Sequence, residues 1–240
     1  MKDLFIITSA IMVPNAEPWH RAMQTAHTID SINARIPDAE IWLCDSATTA
    51  MPAQILNLLV SDNVKLKPFN TDPEIHKISK YAESYIGIGG INTEIAALGI
   101  IKNATESYVM CQLLKEDLSG FKRVFKISGR YALTTNFNRS NHIANGNVIL
   151  AKAQKSYLPD RINEIEKIHM CMLWSFCTSI QNTILKVFES INNEVMLYAN
   201  TGRLTDIEHG LYKHIDPLFK HEIETLGVLG LVDNKRPISI

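Results

Sequence analysis

The chain has 240 residues, 46% hydrophobic and 20% charged, with a formal net charge of −1. Such a chain can form one large globular domain or two small ones, and its composition excludes disorder and membrane embedding. Near-neutrality also excludes a global positive field that would hold it on nucleic acid or anionic lipid, though not a local basic patch.

The N-terminal run "LFIITSA", residues 4–10, is continuously apolar, as expected of a strand covered on both faces. It is short, and Thr8, Ser9 and Pro14 interrupt the apolar start. It therefore reads as a first strand and not as a signal peptide. A Pro-bracketed loop follows, and Pro18 suits the first turn of a helix. Trp19, Met23, Ala26, Ile29, Ile32 and Ile36 recur every three or four residues, predicting one buried helical stripe. "IWLCDS" reads as a second strand ending on Asp45 and Ser46. A helix around "AQILNLLVSD" and a short strand "NVKLKPF" complete a βαβαβ opening, the signature of a parallel sheet with helices on its faces.

Residues 71–116 read as mostly helical, interrupted by "YIGIGGIN". The "GIGG" at 87–90 follows no clear strand and lacks dinucleotide-fingerprint spacing, so it reads as a loop or hinge. A strand is expected at 122–127, and "NVILAK" and "HMCMLWSFCT" are further strand candidates. Ile184, Val187, Ile191, Val195 and Tyr198 mark a second amphipathic helix. "TDIEHGLYKHI" reads as a third, and the tail as short closing strands. "TDPE" and "TDIE" each fit a Thr-x-x-Glu capping box opening a helix. The expected architecture is a single α/β domain over 1–240, with a nucleotide-type half (1–115) first and an irregular half (116–240) second.

Cys44, Cys111, Cys171 and Cys177 lack zinc-site spacing and read as free thiols in a reducing, cytoplasmic compartment. No P-loop, G-x-S-x-G or H-E-x-x-H occurs. Parallel sheets bind ligands beyond the carboxyl ends of their strands. Three such ends carry chemistry: Thr8-Ser9, Asp45-Ser46 and Ser128-Gly129-Arg130. A carboxylate there suits a ribose or base, and cations suit phosphate. Lys126, inside an apolar strand, must snorkel, pair or meet a ligand anion. Arg130, just past a glycine, can offer a planar fork to phosphate. Residues 115–161 are locally basic. Glu208 is the first candidate for a general base and Asp206 the second. Tyr131, Trp174 and Trp19 could stack on a base or sugar, and His169 and His209 could move protons or act as ligands, but a structural role is the better account of each.

"FIITSA", "QTAHTIDSINARIPDAEIWLCDSA" and "FKISGRYAL", with weaker support from "IEHGLY", resemble glycosyltransferase-like proteins of phages, large viruses and polysaccharide clusters. The resemblance covers the N-terminal quarter and residues 121–137. It implies a type A glycosyltransferase fold, with a mostly parallel Rossmann-like sheet, helices on both faces and a nucleotide-diphosphate sugar as donor substrate. It places Thr8, Ser9 and Asp45 at the donor nucleotide. Lys126, Ser128 and Arg130 fall where that fold commonly carries an Asp-x-Asp metal motif. No Asp-x-Asp stands there, so a divalent metal becomes dispensable if the cations neutralise the departing diphosphate. Glu208 or Asp206 would deprotonate the acceptor hydroxyl. The acceptor would be a glycan or a hydroxymethylated base in phage DNA, in the host cytoplasm if the chain is phage-encoded. Two rivals are a non-catalytic nucleic-acid-binding module using the basic segment 115–161 and a nucleotidyltransferase, whose carboxylate-held Mg²⁺ the sequence does not supply.

Overall fold

A computed structural model describes residues 1–13, 17–83, 93–144, 147–158, 164–230 and 238–239. The elements are β1 (Lys2–Ser9), α1 (Pro18–Arg35), β2 (Glu40–Asp45), α2 (Ala53–Leu59), β3 (Val64–Pro68), α3 (Pro73–Glu83) and α4 (Thr93–Leu113). There follow β4 (Phe121–Ser128), β5 (Tyr131–Leu133), α5 (Arg139–Ala144), β6 (Val148–Ala151), β7 (Gln154–Lys155), β8 (Lys167–Ile168) and β9 (Leu173–Cys177). The chain continues with α6 (Gln181–Asn200), α7 (Ile207–His214), β10 (Lys220–Ile223), β11 (Val228–Gly230) and β12 (Ile238–Ser239). Among the described residues no helix is long and apolar enough to cross a membrane. The stretch 87–90 and Arg161 lie outside the described residues.

The central sheet has the strand order β10-β6-β9-β4-β1-β2-β3. Neighbours are parallel except at β9, which runs antiparallel to both β4 and β6. Six strands therefore share one direction, and β1, β2, β4 and β6 end on the same edge. β9 begins at that edge. The expected mostly parallel α/β sheet is what forms.

Successive strand side chains point to opposite faces, and each face buries its own core. Leu4, Ile6, Trp42, Cys44, Val124 and Trp174 pack with side chains from α3, α4, α6 and α7. Phe5, Ile7, Ile41, Leu43, Phe125 and Ile127 pack with α1 and α2 on the other side. The Phe5 and Phe125 rings stack across neighbouring strands with centroids 4.6 Å apart. α7 docks closely on α6 because Gly210 has no side chain: a Cβ there would lie 2.5 Å from Ile191 Cγ1.

Two local expectations change. The predicted stripe of α1 is buried only in its C-terminal half: Ile29, Ile32 and Ile36 are buried, while Trp19 and Met23 are 49% and 57% exposed. Its buried residues are Ala22, Gln24, Thr25, Thr28, Ile29 and Ile32. The polar members are satisfied locally, Thr28 Oγ1 donating to Gln24 O and Thr25 Oγ1 to Gly129 O. The helix caps also shift by one residue from threonine to aspartate. Asp206 accepts from His209 N at the start of α7, and Asp72 accepts from Glu74 N at the start of α3. A short carboxylate at this position also complements the helix dipole.

Candidate functional site

The shared carboxyl edge gathers the strand-end residues. Thr8 lies opposite Ser128 across β1 and β4, and Ser9 lies opposite Asp45 across β1 and β2. The β4 turn is tied back to β1 by Gly129 N donating to Thr8 O at 2.9 Å. A Cβ on Gly129 would sit 3.0 Å from both Ser9 Oγ and Thr25 Oγ1, so the glycine lets α1 close on this edge. Ser9 and Thr25 exchange a hydrogen bond of 3.2 Å beneath the turn.

Asp45 is buried and accepts from Ile11 N at 3.1 Å and Ala47 N at 3.4 Å. Burial pushes its carboxyl up to about 6, against the pull of those two backbone hydrogen bonds. No ion pair reaches it among the described residues. A strand-end carboxyl with a strongly perturbed pKa is a functional-site candidate.

Lys126 is fully buried and its ammonium is ion-paired with Glu106 of α4. It also donates to Cys171 O at 3.2 Å, while Thr8 Oγ1 donates to Glu106 Oε1 at 3.0 Å. Burial opposes the charge on both partners. Their mutual attraction overrides it, lowering Glu106 and raising Lys126. Of the three outcomes open to this lysine, an internal pair is the one realised, and its charge is directed at Glu106 and not at an open cleft.

Arg130 stands apart from that pair. It is half-buried just beyond β4, within electrostatic reach of Lys102 on α4. Lys102 is exposed and precedes Glu106 by one helical turn. Among the described residues neither cation is taken up by an ion pair. The edge thus presents two cations above a neutralised interior pair.

The first turn of α7 closes the other side. Cys171 Sγ donates to Glu208 Oε1 at 2.8 Å. Burial raises this thiol well above its ordinary range, so it remains a neutral donor. Burial, and next the neighbouring Asp206, raise the Glu208 carboxyl, with Lys102 partly opposing. Asp206 moves the other way. Burial works against its charge, but the hydrogen bond and charge of His209 prevail and hold it low. His209 Nδ1 lies 2.6 Å from Asp206 Oδ1, and Tyr157 donates to Asp206 Oδ2.

The remaining candidates take structural places. Trp174 is fully buried against Phe188, Trp19 lies out on α1, and Tyr131 is buried beside Gly230. His169 is buried with Nδ1 2.8 Å from Ala151 O. The basic segment does not form one face. Arg123 is buried, Arg139 pairs with Asp3, and Lys152 pairs with Glu224. Glu106, Lys102 and Cys171 escape the sequence reading. The signal for Glu106 is the cluster of Asn103, Thr105, Glu106 and Ser107 in a mostly apolar helix.

No protein-family model matches this chain, and no curated protein matches it. Several solved structures are similar to it, one at a TM-score that shows a shared fold. The Mn/GDP form of core-mannan synthase A from Aspergillus fumigatus has a TM-score of 0.50 at 8% identity, covering 93% of this chain and 73% of that one. Mouse xyloside xylosyltransferase 1 in its apo form has a TM-score of 0.47 at 10% identity, covering 92% and 84%. 4-Diphosphocytidyl-2C-methyl-D-erythritol synthase from Anaerococcus prevotii has a TM-score of 0.46 at 12% identity, covering 92% and 86%. The likeness is one of architecture: a central, mostly parallel sheet flanked by helices, as in the type A glycosyltransferase fold. Among the described residues no three His, Cys, Asp or Glu side chains gather as a metal-ion site. The β4 end itself carries Ser128, Gly129 and Arg130, with no carboxylate.

Proposed function

We propose that the chain transfers a sugar from a nucleotide-diphosphate donor to an acceptor hydroxyl. The observation that carries this reading is that Lys102 lies within electrostatic reach of both Arg130 and Glu208, beside the edge where a parallel sheet binds ligands. Asp45 and Ser9 would receive hydroxyls of the nucleoside, and Ser128 would border the diphosphate. Arg130, with Lys102 beside it, would meet the diphosphate oxygens and stabilise the charge that grows as the glycosidic bond breaks. Lys126 would serve as the counter-ion that fixes Glu106, and Thr8 with it, beneath the donor. It would not contact phosphate directly.

Glu208 is the candidate base. A carboxyl raised above its ordinary range is better matched to taking a hydroxyl proton near neutral pH. Asp206 is second, because His209 and Tyr157 already occupy both of its oxygens. With the basic segment divided between the interior, ion pairs and the surface, a glycan or other small hydroxyl acceptor is favoured over modified DNA.

Hydrolysis of nucleotide sugars, screened singly with and without chelator, tests the reading. One donor should be hydrolysed, and chelator should leave the rate unchanged. Failure to hydrolyse any of them would count against the reading.

A further inference from the structure

We propose that Ser156 is an activated nucleophile that accepts the acyl group of a small activated carboxylic ester, an activity independent of the sugar-transfer reading. Ser156 directly follows β7, beyond the carboxyl end of β6. Its Oγ lies 2.8 Å from His209 Nε2, and His209 Nδ1 lies 2.6 Å from Asp206 Oδ1. Nucleophile, base and orienting carboxylate within hydrogen-bond reach of one another is the arrangement that activates a serine.

Its details favour the reactive form. Nδ1 faces the Asp206 carboxylate, so Nε2 is the ring nitrogen that meets the serine hydroxyl. The imidazole is fully buried, with the Tyr157 ring packed edge-on at 5.5 Å. Leu158 N donates to Ser156 Oγ at 3.1 Å, and Leu158 O lies 3.3 Å from the same Oγ as a second acceptor. His169, by contrast, places Nδ1 2.8 Å from Ala151 O and Nε2 3.3 Å from Lys220 Nζ. His209 instead faces a hydroxyl that lines a cavity of about 530 Å³, within the range of small-molecule sites.

Lys155 and Lys167 line the same cavity and stand opposite each other across the β7–β8 ladder. In the proposed step, Ser156 Oγ attacks the ester carbonyl carbon while its proton passes to His209 Nε2. The carbonyl oxygen takes up negative charge in the cavity that Lys155, Lys167 and Glu166 line. The bond to the leaving alkoxide or phenoxide then breaks, and that group takes the proton from His209. Water cleaves the acyl-serine by the same route, releasing a carboxylic acid and restoring the hydroxyl.

The test uses the full folded chain with a fluorophosphonate probe and, separately, p-nitrophenyl acetate, with adducts mapped by peptide mass spectrometry. Ser156 should be modified roughly 100-fold or more faster in the folded chain than in urea, the scale of general-base assistance. Ser156→Ala should remove the adduct, and His209→Gln should slow its formation by a similar factor. Absence of an adduct on Ser156, or equal rates in folded and unfolded protein, would overturn the proposal. Because that comparison uses the unsubstituted chain, it decides the matter even if His209→Gln does not fold.

Discussion

The two faces of the central sheet reach the same edge and treat a buried acid differently. On the α4 face, Glu106 is given a lysine and a hydroxyl, and is driven towards its charged form. On the α1 face, Asp45 is given two backbone N–H groups and no cation among the described residues, and its carboxyl rises to about 6. The first arrangement is complete in itself. The second leaves an acid near its titration point at the edge where a ligand would arrive. A buried acid that is already matched serves the fold, whereas one left short of partners is where a ligand has something to add.

Breaking the matched pair should have the largest effect. Lys126→Met leaves Glu106 buried without its main counter-charge and should cost about 3–5 kcal/mol in urea unfolding. Lys126→Met combined with Glu106→Gln should recover most of that loss, because no lone charge remains. A double variant no more stable than the single one would show that the pair is not the source.

The Asp45 side should respond in the opposite direction. Its carboxyl titrates near 6 when folded and near 3.9 when unfolded, so between those values the folded state binds more protons. Stability should therefore fall as pH rises from about 4 to 6, by roughly 2–3 kcal/mol. Asp45→Asn keeps an acceptor for Ile11 N and Ala47 N and removes the titration. It should be the more stable protein at pH 7, with a flatter profile across that window. A denaturation series in pH steps checks both. The same variant should bind nucleotide more weakly.

Gly129→Ala should be the mildest, costing about 1–2 kcal/mol as Ser9 and Thr25 give way. If thermal melting shows no loss, the α1 side of the edge is looser than the 3.0 Å approaches imply.

The sequence makes the sheet legible because apolar runs alternating with amphipathic segments leave few other solutions. It makes the strand ends legible too, since Thr8, Asp45 and Arg130 stand where such runs stop. It does not disclose which cation turns inward. Lys126 and Arg130 are four residues apart, and only the packing of α4 against β4 brings Glu106 to one of them. The α1 stripe misleads for a related reason: side-chain-to-backbone bonds let Thr25 and Thr28 be buried, while Trp19 and Met23 stay outside. The chain from Ser156 through His209 to Asp206 joins residues 50 and more apart in sequence, through a hairpin and a helix start that no local pattern connects.

Calorimetric titration of nucleoside diphosphates into the unsubstituted chain and into Arg130→Ala, with chelator present, tests the central claim most directly. At least one diphosphate should bind the unsubstituted chain, and the substitution should weaken it at least about tenfold, the scale of a lost charge-assisted contact. Equal binding by the two proteins would contradict the account.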